Sequence, residues 1–344
     1  GEMPPEQGKP IPQEDKDRVV ELLKLMLNES VSGDSSPAIT RIRRMNRFQY
    51  ANAVEDLLGL KVSVFPLPER MMRDRSGYFN KAIKDGMPDS LTVSSRPLGK
   101  SGLIEPRLSG VGPFPQDLRA EHGYDNQADH LSLSPLLMEA FFQLSRTIVT
   151  SSTFGPKTVG IWKGFFQAPP EEEDLEKVLA ARLKPFLTRA FRRPVKKETL
   201  KRYRSHAISS LKKGATFEAT MKDVVSAVLA SPRFLYLYDS LGEQEEALSG
   251  EALLASRLSF FLWGSLPDEE LLELARTGRL SDTKVLDGQL DRMLSDPKLK
   301  RFCDSFPTQW LQLDRIISAV PDEKTYPDFY YAPPSYRTTM DMMM

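Results

Sequence analysis

The chain has a single cysteine, Cys303, among its 344 residues. One thiol cannot form an internal disulfide, and zinc sites built from several thiolates are excluded for the same reason. Cys303 lies in an apolar helical pattern with Phe302 and Phe306, so we expect a buried small side chain rather than a nucleophile. The sequence also contains no Cys-x-x-Cys-His, and therefore no site for covalent haem attachment.

The sequence also lacks an excess of charge, with 47 basic and 47 acidic side chains. A dedicated nucleic-acid-binding protein carries a basic excess, so we expect no nucleic-acid partner. No apolar run is long enough to cross a bilayer, and we expect no membrane span. Phosphate-binding glycine loops, the Gly-x-Ser-x-Gly elbow and the His-Glu-x-x-His helix are absent too, which leaves nucleotide, lipase-like and zincin chemistry without support.

Apolar residues recur every three to four positions through most of the chain, and this spacing predicts an all-α fold of bundle-like units. Gly59 is placed to end one helix, while Ser134 and Pro135 are placed to begin another. Pro185 lies inside a helical pattern, where we expect a kink. The predicted helices cover roughly residues 13–28, 47–58, 134–150, 175–190, 196–213, 216–230, 250–263, 266–277, 282–294 and 297–313.

The helical periodicity fails between residues 61 and 132, where prolines and glycines are frequent. We predict a long irregular loop region there, of a kind that is usually functional or mobile. The first residues are no natural start, and the last ones stop inside a helical pattern, so we expect a piece of a larger protein truncated at both ends. The predicted parts are 1–33, 36–150 with the loop insertion 61–132, 170–232 and 233–344.

Several segments resemble one known family. They are RRMNRFQY at 43–50 with DLLGL at 56–60, GYDN at 123–126, RAFRRPV at 189–195, and LASPRFLY at 229–236 with ASRLSFFLW at 255–263. Together they resemble the planctomycete-type multidomain cytochrome c proteins. The similar region is their string of domains of unknown function, of the DUF1587, DUF1595 and DUF1592 type.

The resemblance implies that residues 1–33 are the C-terminal remnant of a cytochrome c-like domain. Met3, which precedes two prolines, would be an axial ligand of haem c in the intact parent, while the piece itself holds no haem. The resemblance further implies an extracytoplasmic location, periplasmic or at the cell surface. The expected function is that of a helical accessory region, which supports redox or electron transfer by other domains of the parent chain and has no complete active site of its own.

The strongest cluster of candidate site residues lies at the end of the irregular region and comprises His122, Asp125, Asn126, Asp129 and His130, of which the last four are the candidate metal ligands. Their oxygens suit Ca²⁺, and an imidazole among them suits a transition metal. A His–Asp pair could also transfer protons, which keeps open a hydrolase that uses this loop. The competing interpretation is a turn in which Asp and Asn bond their own backbone and cap the next helix.

A second candidate site is the basic stretch between residues 182 and 204, with Arg192 and Arg193 as its binding residues. It favours an acidic protein or a polysaccharide partner, and so an alternative function as a non-catalytic binding or scaffold module for the cell surface. The competing interpretations are a solvated helix face with internal ion pairs and, for these two arginines, a cap on a helix C-terminus.

An arginine and a set of aromatic residues near the C-terminal end are predicted to stabilise the fold rather than to form a site. Arg257 lies among apolar residues, and we expect a partly buried ion pair with the carboxylates that begin at Asp268. Four aromatic residues are predicted to lie in the core: Phe260, Phe261, Trp263 and Trp310.

Overall fold

The computed structural model describes residues 12–32, 43–67, 106–115, 117, 123–128, 131, 134–237, 250–312, 322 and 324–325. Within them regular structure is almost entirely helical, which confirms the predicted all-α fold. The helices are α1 (Gln13–Ser32), α2 (Arg47–Leu58), α3 (Pro135–Thr150), α4 (Trp162–Phe165), α5 (Leu175–Phe191), α6 (Lys197–Lys212), α7 (Phe217–Leu229), α8 (Pro232–Leu235), α9 (Gly250–Leu262), α10 (Glu269–Arg276), α11 (Thr283–Ser295) and α12 (Lys300–Trp310).

Most predicted helix ends are confirmed by their caps. Gly59 follows α2 with a left-handed φ of 59°, and the Ser134 hydroxyl accepts a hydrogen bond from the backbone of Leu137 at the start of α3. The predicted start of α10 near residue 266 is wrong by three residues. The Asp268 carboxylate caps the helix by accepting from the Leu271 amide, so α10 begins at Glu269.

A two-stranded antiparallel pairing joins β1 (Arg43–Arg44) to β2 (Tyr236–Leu237), and it was not predicted from the sequence. Each strand has two residues, which is too short for an alternating pattern to appear in the sequence. The pairing brings the chain before α2 against the chain after α8, and the Met45 amide adds a hydrogen bond of 2.8 Å to the Leu235 carbonyl.

The chain divides into two compact units, residues 1–41 and residues 42–344. In the described part of the first unit, α1 carries exposed apolar side chains that include Leu22, Leu23 and Met26. The second unit contains α2 to α12 and both strands. The proposed division into four domains is not tested by this result and stays a prediction.

The main core of the second unit forms where α7 packs on α3 and α6, and α5 packs on α6 and α2. At one end Tyr50 of α2 is enclosed by the rings of Phe65, Phe114, Phe141 and Phe234, with centroids 5.7–6.4 Å away. Phe65 and Phe114 belong to the predicted loop region, whose described residues are irregular and nevertheless contribute to this core.

A smaller core lies between α9, α10 and α11 around Trp263, which is fully buried. The Trp263 indole donates a hydrogen bond of 3.2 Å to the Met293 carbonyl. Lys298 and Arg292 lie over the indole ring, 4.7 and 5.5 Å from its centroid. This core fixes α9, and α12 contacts α9, so the core helps to position Phe261 of α9 and Phe302 of α12.

Candidate functional site

A cleft of about 600 Å³ opens between the start of α2, the segment 123–128, α9 and α12. It is hereafter called the cleft. A volume of several hundred Å³ is typical of sites for small molecules or short chain segments. Six aromatic residues line it: Phe48, Tyr124, Phe260, Phe261, Phe302 and Phe306.

The aromatic side chains of α9 and α12 form a continuous row along the cleft. Phe261 of α9 lies 5.2 Å from Phe302 of α12, measured between ring centroids, and Phe302 stacks on Phe306 at 5.1 Å. Trp310 continues the row beyond the cleft, 5.8 Å from Phe306. Phe261 and Trp310 are each 61% exposed, so the row presents apolar surface to solvent rather than to the core.

The polar side of the cleft ties together α2, the segment 123–128 and α12. Asn46 forms a capping box with Gln49 at the start of α2, and its amide nitrogen donates to the Asp125 carboxylate at 2.9 Å. The Asp125 backbone amide donates to the Gln309 side-chain oxygen of α12 at 3.2 Å. These bonds fix the cleft geometry, and Asn126 remains an exposed residue at its edge.

An ion pair joins α2 to α12 behind the cleft. Both terminal nitrogens of Arg301 donate to the Asp56 carboxylate, at 2.8 and 3.0 Å, and Lys298 lies 3.5 Å from it. Asp56 is 10% exposed. Burial alone would raise the pKa of its carboxyl, but the hydrogen bond and charge of Arg301 and the charge of Lys298 outweigh burial and lower the pKa below its ordinary value.

A glycine allows the loop after α9 to approach α2 closely. Gly264 has a φ of 56°, a left-handed conformation that suits glycine, and its carbonyl accepts a hydrogen bond of 3.2 Å from the Asn52 amide. A Cβ atom at this position would lie 2.9 Å from the ring of Phe48. The aromatic wall of the cleft therefore depends on glycine at this position.

The predicted metal site is only partly described. Asp125 and Asn126 line the cleft, whereas His122, Asp129 and His130 lie outside the described residues, as does Met3. The described residues contain no group of three or more His, Cys, Asp or Glu side chains arranged to hold a metal ion. The Asp125 carboxylate accepts from Asn46, and its role as a Ca²⁺ or metal ligand stays a prediction.

The predicted binding pair Arg192 and Arg193 occupies the turn after α5. Arg192 is 5% exposed, adopts a left-handed φ of 58° as the helix cap, and lies with its guanidinium 5.7 Å from the Phe260 ring centroid. Its guanidinium donates to four backbone carbonyls, those of Ala190, Arg233, Phe234 and Tyr236. Arg192 therefore holds α5 to α8 and β2, while docking of a partner by these two arginines stays a prediction.

The expected ion pair of Arg257 with the carboxylates of α10 is wrong. Asp268 and Glu270 instead face Arg292 of α11, at 2.6 and 3.5 Å, and stabilise the smaller core. Arg257 is exposed and lines the cleft, together with Arg43 and Arg301. The position of Arg257 among apolar residues of α9 was therefore a feature of the sequence that could have indicated this cleft.

The burial expected for three residues on α9 and α12 is also wrong. Phe260 and Trp263 are buried as predicted, but Phe261, Trp310 and Cys303 are exposed. Aromatic residues four and eight positions apart on α12 indicate one helix face, and nothing in the spacing says whether another element covers that face. The cleft residues Phe48, Tyr124, Phe302, Phe306 and Gln309 were not predicted as site residues.

The fold and the cleft define an all-α protein with a concave aromatic site that carries arginines. Three family models match the chain: PSD3, protein of unknown function (DUF1587), at residues 43–84 and 103–153; PSD5, protein of unknown function (DUF1595), at 178–239; and PSD4, protein of unknown function (DUF1592), at 250–344. The chain thus carries these three domains of unknown function in succession, as the resemblance predicted.

Searches of curated proteins and of solved structures found no match to the chain. Within the described residues, none of the helices combines the length and the apolar character needed to cross a bilayer. The cleft is lined by residues from two of the matched regions, those of the first and the third family model.

Proposed function

We propose that this chain is a non-catalytic binding region of a larger protein and that the cleft is its ligand site. The observation that carries the proposal is the aromatic row that lines the cleft from Phe261 through Phe302 to Phe306 and continues to Trp310, with both ends of the row 61% exposed. Large exposed aromatic side chains in a cleft provide contact area at low entropic cost, and arginine, amide and carboxylate groups beside them orient a ligand.

The polar groups of the cleft support binding rather than catalysis. Among its described lining residues, the side chains of acid–base type are Tyr124 and one carboxylate, Asp125, which accepts a hydrogen bond from Asn46. Arginine stays protonated at all ordinary pH values and serves to bind anions. Acid–base chemistry near neutral pH is most often carried by histidine, and the described lining contains none.

The single cysteine allows ligand binding in the cleft to be tested directly. Cys303 is exposed and follows Phe302, so a thiol-reactive fluorophore at this position reports on the cleft without further engineering. We expect a ligand from a panel of oligosaccharides and peptides to change the emission of the labelled protein. The change should be lost in Phe261→Ala and kept in Phe142→Ala, which removes a similarly exposed ring from α3. No response, or a response unaffected by Phe261→Ala, would contradict the proposal.

We further propose that the region acts as an accessory to a secreted, extracytoplasmic c-type cytochrome protein and presents a ligand or partner to its redox domain. The succession of the three matched domains supports this role. The segments that resemble the multidomain cytochrome c proteins lie within the same three matched regions. Sequencing the natural gene upstream of residue 1 should find a Cys-x-x-Cys-His motif and, in the mature parent, haem c with Met3 as an axial ligand. Absence of that motif would remove the redox role and leave the binding role intact.

A further inference from the structure

Helix α6 carries a strongly basic exposed face. Within residues 197–213, which are α6 and its C-terminal cap, five exposed side chains are basic: Lys197, Lys201, Arg202, Lys212 and Lys213. Glu198 is the one exposed acidic side chain in the same range. The helix packs on α5 and α7, and its Ala207 is fully buried. The basic residues therefore belong to a surface of the second unit and not to its core.

Four of these cations flank a line of serines. At about 3.6 residues per turn, the exposed residues Ser205 and Ser209 fall on the midline of this face or close to it. Lys201 and Lys212 lie on one side of that line, and Arg202 and Lys213 lie on the other. The four cations extend over roughly 18 Å of helix length. They are hereafter called the basic track.

The basic track has no internal counter-charge. None of its four cations forms an ion pair with a carboxylate among the described residues. The neighbouring Arg204 does pair, at 3.9 Å from Glu176 of α5, and Lys300 of α12 pairs with Asp304 one turn further along. An exposed pair contributes little to stability, so the difference concerns mainly the charge that a ligand meets. The basic track presents that charge without compensation.

The composition of α6 disfavours a folded protein and a lipid surface as the ligand. The centre of a protein interface is anchored by aromatic and other large side chains and is poor in lysine. Stable attachment to a bilayer combines basic residues with an apolar anchor. None of the large apolar side chains that are exposed in the described residues belongs to α6. The basic track is thus suited to a hydrated, flexible anionic chain.

The spacing of the cations favours a polysaccharide over a nucleic acid. A nucleic-acid strand carries a phosphate about every 3.4 Å, and single strands are held by rings on which their bases stack. The basic track has two pairs of cations roughly 15 Å apart. The one aromatic residue of α6, Tyr203, is half-buried near Phe191. Between the two pairs lie serine hydroxyls, which donate and accept hydrogen bonds as the hydroxyls of a sugar ring do.

We infer that the exposed face of α6 binds an acidic polysaccharide that lies along the helix axis. Its carboxylate or sulfate groups pair with the cations of the basic track, and its hydroxyls bond to Ser205 and Ser209. No residue of α6 lines the cleft, so this second site goes beyond the proposed function, which concerns the cleft alone.

Titration calorimetry of the full 344-residue chain compares acidic polysaccharides with their neutral counterparts. The probes are oligogalacturonate with its methyl ester, and dextran sulfate with dextran. We expect at least one acidic probe to bind about tenfold or more tightly than its neutral counterpart at low salt. The affinity of that probe should fall steeply with added salt, because binding releases the counterions of the polymer.

Paired substitutions assign the binding to the basic track. Lys201→Gln with Arg202→Gln should weaken binding of the acidic probe by about tenfold. The slope of its salt dependence should fall by roughly half, because two of the four cations are lost. Lys212→Gln with Lys213→Gln should have the same two effects. Circular dichroism of each variant checks that the fold is retained.

Two controls separate the basic track from other surfaces. Arg279→Gln with Lys284→Gln removes one exposed arginine and one exposed lysine from another part of the chain. This pair should change neither the affinity nor the salt dependence. Phe261→Ala alters the cleft and should also leave binding of the acidic probe unchanged.

Several results would overturn the inference. They are equal binding of acidic and neutral polysaccharides, no binding of either acidic probe, and binding that survives both paired substitutions on α6. Tighter binding of polyglutamate or of a single-stranded DNA oligomer than of either acidic polysaccharide would overturn the assignment to a saccharide. Binding that is lost in Phe261→Ala and kept in the α6 variants would overturn the basic track and support the cleft, so failure of this inference is distinct from failure of the proposed function.

Discussion

Helices α7 and α12 carry similar apolar stripes and use them differently. In α7 the side chains of Met221, Val225 and Val228 are fully buried because α3 and α6 pack on it. In α12 Phe302 and Phe306 line the cleft, and Trp310, which continues the stripe beyond it, is 61% exposed. An apolar stripe therefore identifies a helix face, and its function depends on whether another element covers it.

The largest expected effect comes from truncating a ring in the main core. Phe234 is fully buried against Tyr50, so Phe234→Ala should lower the free energy of unfolding by about 4 kcal/mol. Trp310→Ala on the exposed face should cost less than about 1 kcal/mol, although it removes a larger side chain. Urea denaturation of both variants measures the contrast, and similar losses would show that the α12 stripe is covered.

The next effect distinguishes a structural arginine from its neighbour. Arg192→Ala should lower the free energy of unfolding by roughly 3 kcal/mol, because it leaves four backbone carbonyls without their donor in a buried region. Arg193 is only half-buried, and Arg193→Ala should cost less than about 1 kcal/mol. Thermal denaturation checks both. A stable Arg192→Ala protein would contradict this structural role.

The ion pair between α2 and α12 should have an intermediate and pH-dependent effect. Asp56→Asn should destabilise the protein by about 2 kcal/mol at neutral pH, because Arg301 and Lys298 lose their carboxylate. The folded pKa of Asp56 is lowered, so its stabilisation is complete above the unfolded pKa and is lost as the pH falls through the folded value.

Urea denaturation at neutral pH and at about pH 3 measures that dependence. The difference between the wild type and Asp56→Asn should shrink on acidification, and a difference independent of pH would contradict the role of the ion pair. Glu273→Gln is the control, since Glu273 pairs with Arg276 on an exposed surface where such pairs contribute little.

The smallest effect is a gain in stability. The Tyr50 hydroxyl is buried and has no hydrogen-bond partner among the described residues, and burial raises its pKa far above the ordinary value. Tyr50→Phe should therefore leave stability unchanged or raise it by up to about 1 kcal/mol, as measured by thermal denaturation. A loss of similar size would reveal a partner for the hydroxyl.

Local sequence signals were sufficient to predict the helices, but they were insufficient to predict the cleft. Helix periodicity and caps such as Gly59 and Ser134 act within a few residues, so the sequence predicted α2 and α3 closely. In the cleft, Asn46 bonds to Asp125 across 79 positions and Asp125 bonds to Gln309 across 184 positions, and such contacts leave no local pattern. Asp125 and Asn126 were predicted as a metal site because polar residues in an irregular segment were the only visible signal.

The exposure of the aromatic row is the central claim, and tryptophan fluorescence tests it most directly. Of the three tryptophans, Trp263 is fully buried, Trp162 is half-buried and Trp310 is 61% exposed, so acrylamide should quench Trp310 most strongly. We expect Trp310→Phe to remove most of the quenchable emission of the native protein while the fold is retained. Quenching that is unchanged in Trp310→Phe would mean that the row is covered, and the cleft could not bind a ligand as proposed.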